Sequence, residues 1–173
     1  MRDTLRLWKS AITPVILIIL GVSAANADIT VTFKDGAPKD RFTIGLNAAC
    51  AIGPSVLQIN LATAPVGLLF DITENGDGIG VSQPFEWVSP PNNLAATPQV
   101  VDGDTILELN LNGLLPEAPW VFTIDLDDKA SKQPITVSGS EIAGAQASLL
   151  TSGRSTTGIF DANGAATIST VCS

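Results

Sequence analysis

The acidic side chains are the groups best equipped for chemistry in this sequence, and they come in clusters. Asp125-Leu-Asp127-Asp128 ends an alternating run that begins at Trp120 and sets three carboxylates within four residues. Like charges this close raise one another's pKa unless a cation or a donor neutralises them, so the cluster is a candidate for cation binding or acid–base work. Asp71-Ile-Thr73-Glu-Asn75-Gly76-Asp77 places side-chain oxygens at alternate positions around a glycine turn, as a short loop does when it collects ligands for a hard cation. Asp102 and Asp104 form a smaller group. If calcium binds, Asp125, Asp127 and Asp128 are expected to supply oxygens, together with Asp71, Asn75 or Asp77.

Plainer readings stand beside these and outweigh them on sequence alone. The stretch from Asp71 matches only the first half of an EF-hand loop: its twelfth position is Ser82, where that loop needs a bidentate carboxylate, and its flanks read as strands. A polar hairpin tip explains it as well. The 125–128 cluster is equally what an acidic sheet edge looks like when charge discourages pairing with another chain.

Much other chemistry is absent. The chain has 173 residues and no His, which excludes the Ser-His-Asp and Cys-His machineries, the His-x-Glu deaminase site and the zincin helix. Carboxylate-pair glycoside hydrolysis survives that test. Glu86 beside Trp87 is its best single candidate and Glu141 a nominal partner, but no spacing brings them to the required separation of about 5–9.5 Å. A core Trp with a surface Glu is the simpler reading, so no catalytic residues are assigned and the chain is expected not to be an enzyme. Gly76-x-Gly78-x-Gly80 lacks the spacing of a phosphate-binding loop, and Pro84 follows where its helix should start.

Arg2, Arg6 and Lys9 precede the apolar run from Val15 to Val22, followed by Ser23-Ala-Ala-Asn-Ala27. This order of positive, apolar and small residues is that of a Sec signal peptide covering residues 1–27, with cleavage before Asp28. The run is shorter than the roughly 20 apolar residues that span a bilayer. The protein is therefore expected outside the cytoplasm, in the periplasm, at the cell surface or secreted, with no membrane insertion after cleavage. From Asp28 onward, 6 basic side chains face 16 acidic ones, a net charge of −10 that disfavours nucleic acid and anionic membrane alike. In an oxidising compartment Cys50 and Cys172, the only cysteines, are expected to form a disulfide.

The elements that must position these groups read as strands. Ile29-x-Val31-x-Phe33, Phe42-x-Ile44-x-Leu46, Leu57-x-Ile59-x-Leu61, Leu107-x-Leu109-x-Leu111 and Phe122-x-Ile124-x-Leu126 alternate with mostly polar residues. Shorter runs at 66–72, 79–88, 135–137, 158–160 and 165–171 bring the count to about ten. Asp35-Gly36, Asn75-Gly76, Asp77-Gly78, Asp102-Gly103, Asn112-Gly113 and Asn163-Gly164 supply turn chemistry, and the hairpin across Asn163-Gly164 is the clearest. Pro90-Pro91 and the 116–119 stretch read as crossovers between sheets. Residues 140–150 favour strand over a helix capped by Ser140, with Gly144 against the helix. The fold class expected is all-β: one domain, residues 28–173, built as an antiparallel β-sandwich of about ten strands and Ig-like in general build.

Three sets of strings carry a family resemblance: residues 35–44; Gly67-Leu-Leu-Phe-Asp71 with Gln83-Pro-Phe-Glu86; and residues 122–128 with residues 135–145. They resemble bacterial exported proteins described as similar to the sponge aggregation factor core protein, over most of the chain from about Asp28 to Phe160. The resemblance implies a β-rich extracellular module and, by analogy of name, calcium-dependent adhesion. The leading expectation is thus an exported, non-enzymatic adhesion or aggregation module, calcium-assisted, whose partner is another protein, a surface glycan or a further copy of itself. The alternative is a periplasmic or surface structural subunit that exchanges strands as pilus proteins do.

Overall fold

A computed structural model describes residues 26–76, 78, 80–116, 118–129 and 137–172. The expected signal segment up to residue 25, Asp77, and positions 135 and 136 of an expected short strand lie outside the described residues. Among the described residues, eleven strands follow one another: β1 Asn26–Lys34, β2 Asp40–Asn47, β3 Ser55–Asn60, β4 Leu68–Phe70, β5 Glu86–Ser89, β6 Ile106–Leu111, β7 Trp120–Ile124, β8 Leu126–Asp128, β9 Gln146–Thr151, β10 Arg154–Ile159 and β11 Ala165–Val171. Among the described residues there is no helix, so none could cross a membrane.

The strands form a five-stranded sheet ordered β11-β1-β2-β7-β5, a four-stranded sheet ordered β10-β9-β3-β6, and a two-stranded ladder of β4 with β8. All pairings are antiparallel. The all-β expectation holds, with eleven strands for about ten; what the sequence reads as an Ig-like build is, at the level shown, an antiparallel sandwich. Both Pro-rich connections do cross between the sheets, from β5 to β6 and from β6 to β7.

Alternation becomes burial. Ile29, Val31 and Phe33 of β1, Phe42 and Ile44 of β2, Leu57 and Ile59 of β3, and Leu107, Leu109 and Leu111 of β6 are all buried in one core. Removing this apolar area from water is the main force holding the two sheets together. Aromatic rings thicken the core beneath the five-stranded sheet: Phe122 lies 5.0 Å from Phe42 and 4.9 Å from Phe85, and Trp87 meets Phe122 edge-on at 5.7 Å. Trp120 is buried as well, so both tryptophans of the folded domain pack.

Two turns follow from backbone permission. The β9–β10 hairpin closes over Ser152 and Gly153, both left-handed at φ 48° and 75°, the conformation a two-residue type I′ turn needs. At the β10–β11 hairpin Gly164 has φ 72°, and Phe33 donates its N–H to the Gly164 carbonyl at 2.7 Å. Cys50 and Cys172 are joined, Cα atoms 5.9 Å apart across 122 positions, which ties the chain after β2 to the chain after β11.

Residues 140–150 divide. Ser138, not Ser140, opens a single tight turn: its N–H and hydroxyl both donate to the Glu141 carboxylate, at 2.6 and 2.7 Å. Gly144, at φ 93°, ends the turn, and β9 begins at Gln146.

Candidate functional site

The end of the sandwich opposite the disulfide gathers the acidic groups, and backbone bonds do the gathering. β4 is buried at every position and delivers Asp71 directly after Phe70. Asp71 N–H donates to the Asp125 carbonyl at 3.0 Å, Gln83 N–H to the Asp71 carbonyl at 3.2 Å, and Asp125 N–H to the Gln83 carbonyl at 3.2 Å. Phe70 N–H donates to the Asp104 carbonyl and Gly103 N–H to the Phe70 carbonyl, which brings the 101–104 turn alongside. β4 and β8 pair with Leu69 opposite Asp127. Segments far apart in sequence thus become neighbours.

Side chains then divide the work. Asp102 Oδ1 accepts from Ile72 N–H at 2.8 Å and Thr73 N–H at 2.9 Å, which pins the start of the 71–83 loop. Asp104 Oδ2 accepts from Val101 N–H at 2.7 Å within its own turn. Asp40, 1% exposed, accepts from Gly36 N–H through one oxygen and Leu126 N–H through the other, both at 3.1 Å. The Asp71 and Asp102 carboxyl groups are hydrogen-bonded to each other. A Cβ added at Gly76 would strike the Asp102 carboxylate and one at Gly78 the Asp71 carboxylate, so the loop folds over the pair as bare backbone. This close approach is what the glycines are for.

The electrostatics follow from burial and crowding. Burial, then Asp102 and Asp127, pushes the Asp71 carboxyl up to about 6. Burial raises Asp125 to about 8, aided by Asp40, Asp71 and Asp127. Asp40 rises to about 7 because burial outweighs its two backbone donors, with Asp35 and Asp127 adding to the rise. Among the described residues, no basic side chain offsets the rise at any of the three.

Of the residues singled out from sequence, Asp71, Asp125 and Asp127 are brought together, and Asp102 joins them. Asp128, paired with Leu68, is not among the charges that raise the others. Asn75 lies exposed in the turn closed by Gly76 N–H to the Thr73 carbonyl. Asp77 is outside the described residues. Asp40 went unnoticed, yet its signal is plain: in Asp40-x-Phe42-x-Ile44 it falls on the oily face of β2. Glu86 is exposed and ion-paired with Lys39 at 2.7 Å, while Glu141 holds the Ser138 turn, so each nominal glycosidase acid has a structural partner.

The donor set suits a hard divalent cation: oxygen only, negatively charged, with carbonyls close by. Among the described residues, no three acids or thiols surround a single point at ligand spacing. Asp71 and Asp102 are the two carboxylates in contact; Asp102 Oδ1, like both oxygens of Asp40 and Oδ2 of Asp104, already accepts from backbone donors. No family model, curated protein or solved structure matches the chain.

Proposed function

We propose that this protein works outside the cytoplasm as a non-enzymatic adhesion or aggregation module whose acidic end takes a hard divalent cation, calcium in the first instance. The observation that carries this reading is the contact between the Asp71 and Asp102 carboxyl groups under the bare backbone of Gly76 and Gly78. Two carboxyl groups in contact need a proton or a cation between them, and only a cation leaves both ionised. Calcium binds six to eight oxygens and accepts carbonyls and water among them, so Asp71 and Asp102 would hold it with loop carbonyls completing the shell. When bound, it would supply charge neutralisation and tie the 71–83 loop to the 101–104 turn. The partner presented with this end would be another protein or a surface glycan.

Melting the purified protein with and without calcium tests the reading. At calcium about 100-fold above its dissociation constant, binding to the native state adds about 2.7 kcal/mol, which raises Tm by roughly 5–10 °C. The double variant Asp71→Asn, Asp102→Asn should lose that response while folding normally, because it also removes a like-charge contact. An unchanged Tm at millimolar calcium would overturn the cation part of the proposal.

A further inference from the structure

The outward face of the four-stranded sheet is a grid that the pairing registers define completely. One row across β10, β9, β3 and β6 is Ser155, Leu150, Val56 and Asn110; the next is Thr157, Ser148, Gln58 and Glu108. The last, toward the acidic end, is Ile159, Gln146, Asn60 and Ile106. Twelve positions carry one ionisable group, Glu108, whose carboxylate accepts from Gln58 Nε2 at 2.9 Å. The outward face of the five-stranded sheet, by contrast, carries Asp28, Lys34, Arg41 and Glu86. Ile106, Leu150 and Ile159 are exposed at 41%, 47% and 62%.

We infer that this face binds a second copy of the chain, the two sheets packing front to front about a two-fold axis that runs along the strands between β3 and β9. This deepens the adhesion reading and rests on it for its purpose, though not for its geometry. Such an axis sets β9 against the partner's β3 and β10 against the partner's β6, row upon row. Leu150 then meets Val56 and Ile159 meets Ile106, apolar on apolar at every such position. Ser148 meets Gln58, Gln146 meets Asn60, and Ser155 meets Asn110, amide and hydroxyl groups able to pair. Glu108, on the edge strand, meets the Thr157 hydroxyl at the rim and not the other Glu108. An axis turned across the strands would put Leu150 on Gln146 and lose this match.

Charge and area point to the same occupant. A chain with 16 acidic against 6 basic side chains after residue 27 repels its own copies, and this face, with one carboxylate in twelve positions, brings few like charges together. Four strands of six residues give a patch of roughly 19 by 20 Å, or about 760 Å² of footprint on the two copies together. That is below the size of a stable interface and fits a weak, transient dimer of roughly submillimolar dissociation constant. Both acidic ends of such a pair point the same way, so a surface with repeated ligands meets two sites at once. A single module gains avidity in that way.

Sedimentation equilibrium from about 1 μM to about 1 mM protein tests the inference. The expected outcome is a monomer–dimer equilibrium with or without calcium, strengthened by added salt because screening weakens like-charge repulsion. Leu150→Asp should weaken it at least tenfold, whereas Val171→Asp, on the other sheet, should not. A monomer throughout the range, association weakened by salt, or indifference to Leu150→Asp would overturn it. The calcium-induced rise in Tm, measured on the same Leu150→Asp sample, reports separately on the cation site.

Discussion

Lowering the pH of the chelator-treated protein from 8 to 5 raises its melting temperature. Most proteins rich in paired carboxylates respond in the opposite sense; the reversal here comes from Asp40, Asp71 and Asp125, whose folded pKa values stand at about 7, 6 and 8 against an ordinary value of 3.8. Each binds its proton more tightly in the folded state, so the native protein carries more protons than the unfolded chain across this window. The resulting stability is fully present below the unfolded value and disappears as pH rises through the folded ones. Asp40, the most enclosed, contributes about 2 kcal/mol between pH 8 and 5, roughly 4–8 °C in a domain of this size. Asp161, whose carboxyl is lowered by the Ala165 and Asn163 N–H groups, acts below pH 4 and does not oppose the trend here. Asp40→Asn should flatten much of the slope. A melting temperature that is constant or falls on acidification would show that these carboxyls are not crowded and buried together.

Phe122→Ala should cost about 4 kcal/mol and lower Tm by roughly 10 °C, read by thermal or denaturant unfolding. Phe122 is fully buried and touches three other rings, Phe42, Phe85 and Trp87, from both sides of β7. Truncation removes ring contacts on several sides and leaves a void that strands hydrogen-bonded on both flanks cannot close. Phe122→Leu should cost less than half as much. A loss below about 1 kcal/mol for the alanine variant would mean that the ring is not enclosed as described.

Period-two spacing made the long strands legible, because a residue on the wrong face of β1, β2, β3 or β6 would be a polar group in the core. The same rule reaches Asp40, since a carboxylate two positions before Phe42 must point inward. It fails where pairing, not burial, makes the strand. Arg154-Ser-Thr-Thr157 has no oily face, yet β10 forms because its whole length pairs with β9 across the Ser152-Gly153 turn. It also overreaches at 79–88, where, among the described residues, only Glu86–Ser89 is strand and residues 80–85 are loop. The grouping of Asp71 with Asp125 and Asp127 was expected only as a ligand set for calcium, and the place of Asp102 beside Asp71 was not legible. Each cluster could be seen locally, but their contact depends on β4 leaving the two main sheets to pair with β8, a choice set by topology.

The most direct measurement is a calorimetric titration of calcium into the purified protein near neutral pH and about 0.15 M salt. A saturable heat with one ion per chain, lost in the Asp71→Asn, Asp102→Asn variant and much weaker for magnesium, is the predicted result. Magnesium should bind less well because it demands a smaller, near-octahedral shell. No saturable heat from the wild-type protein at millimolar calcium, or the same heat from the double variant, would contradict a cation site between Asp71 and Asp102.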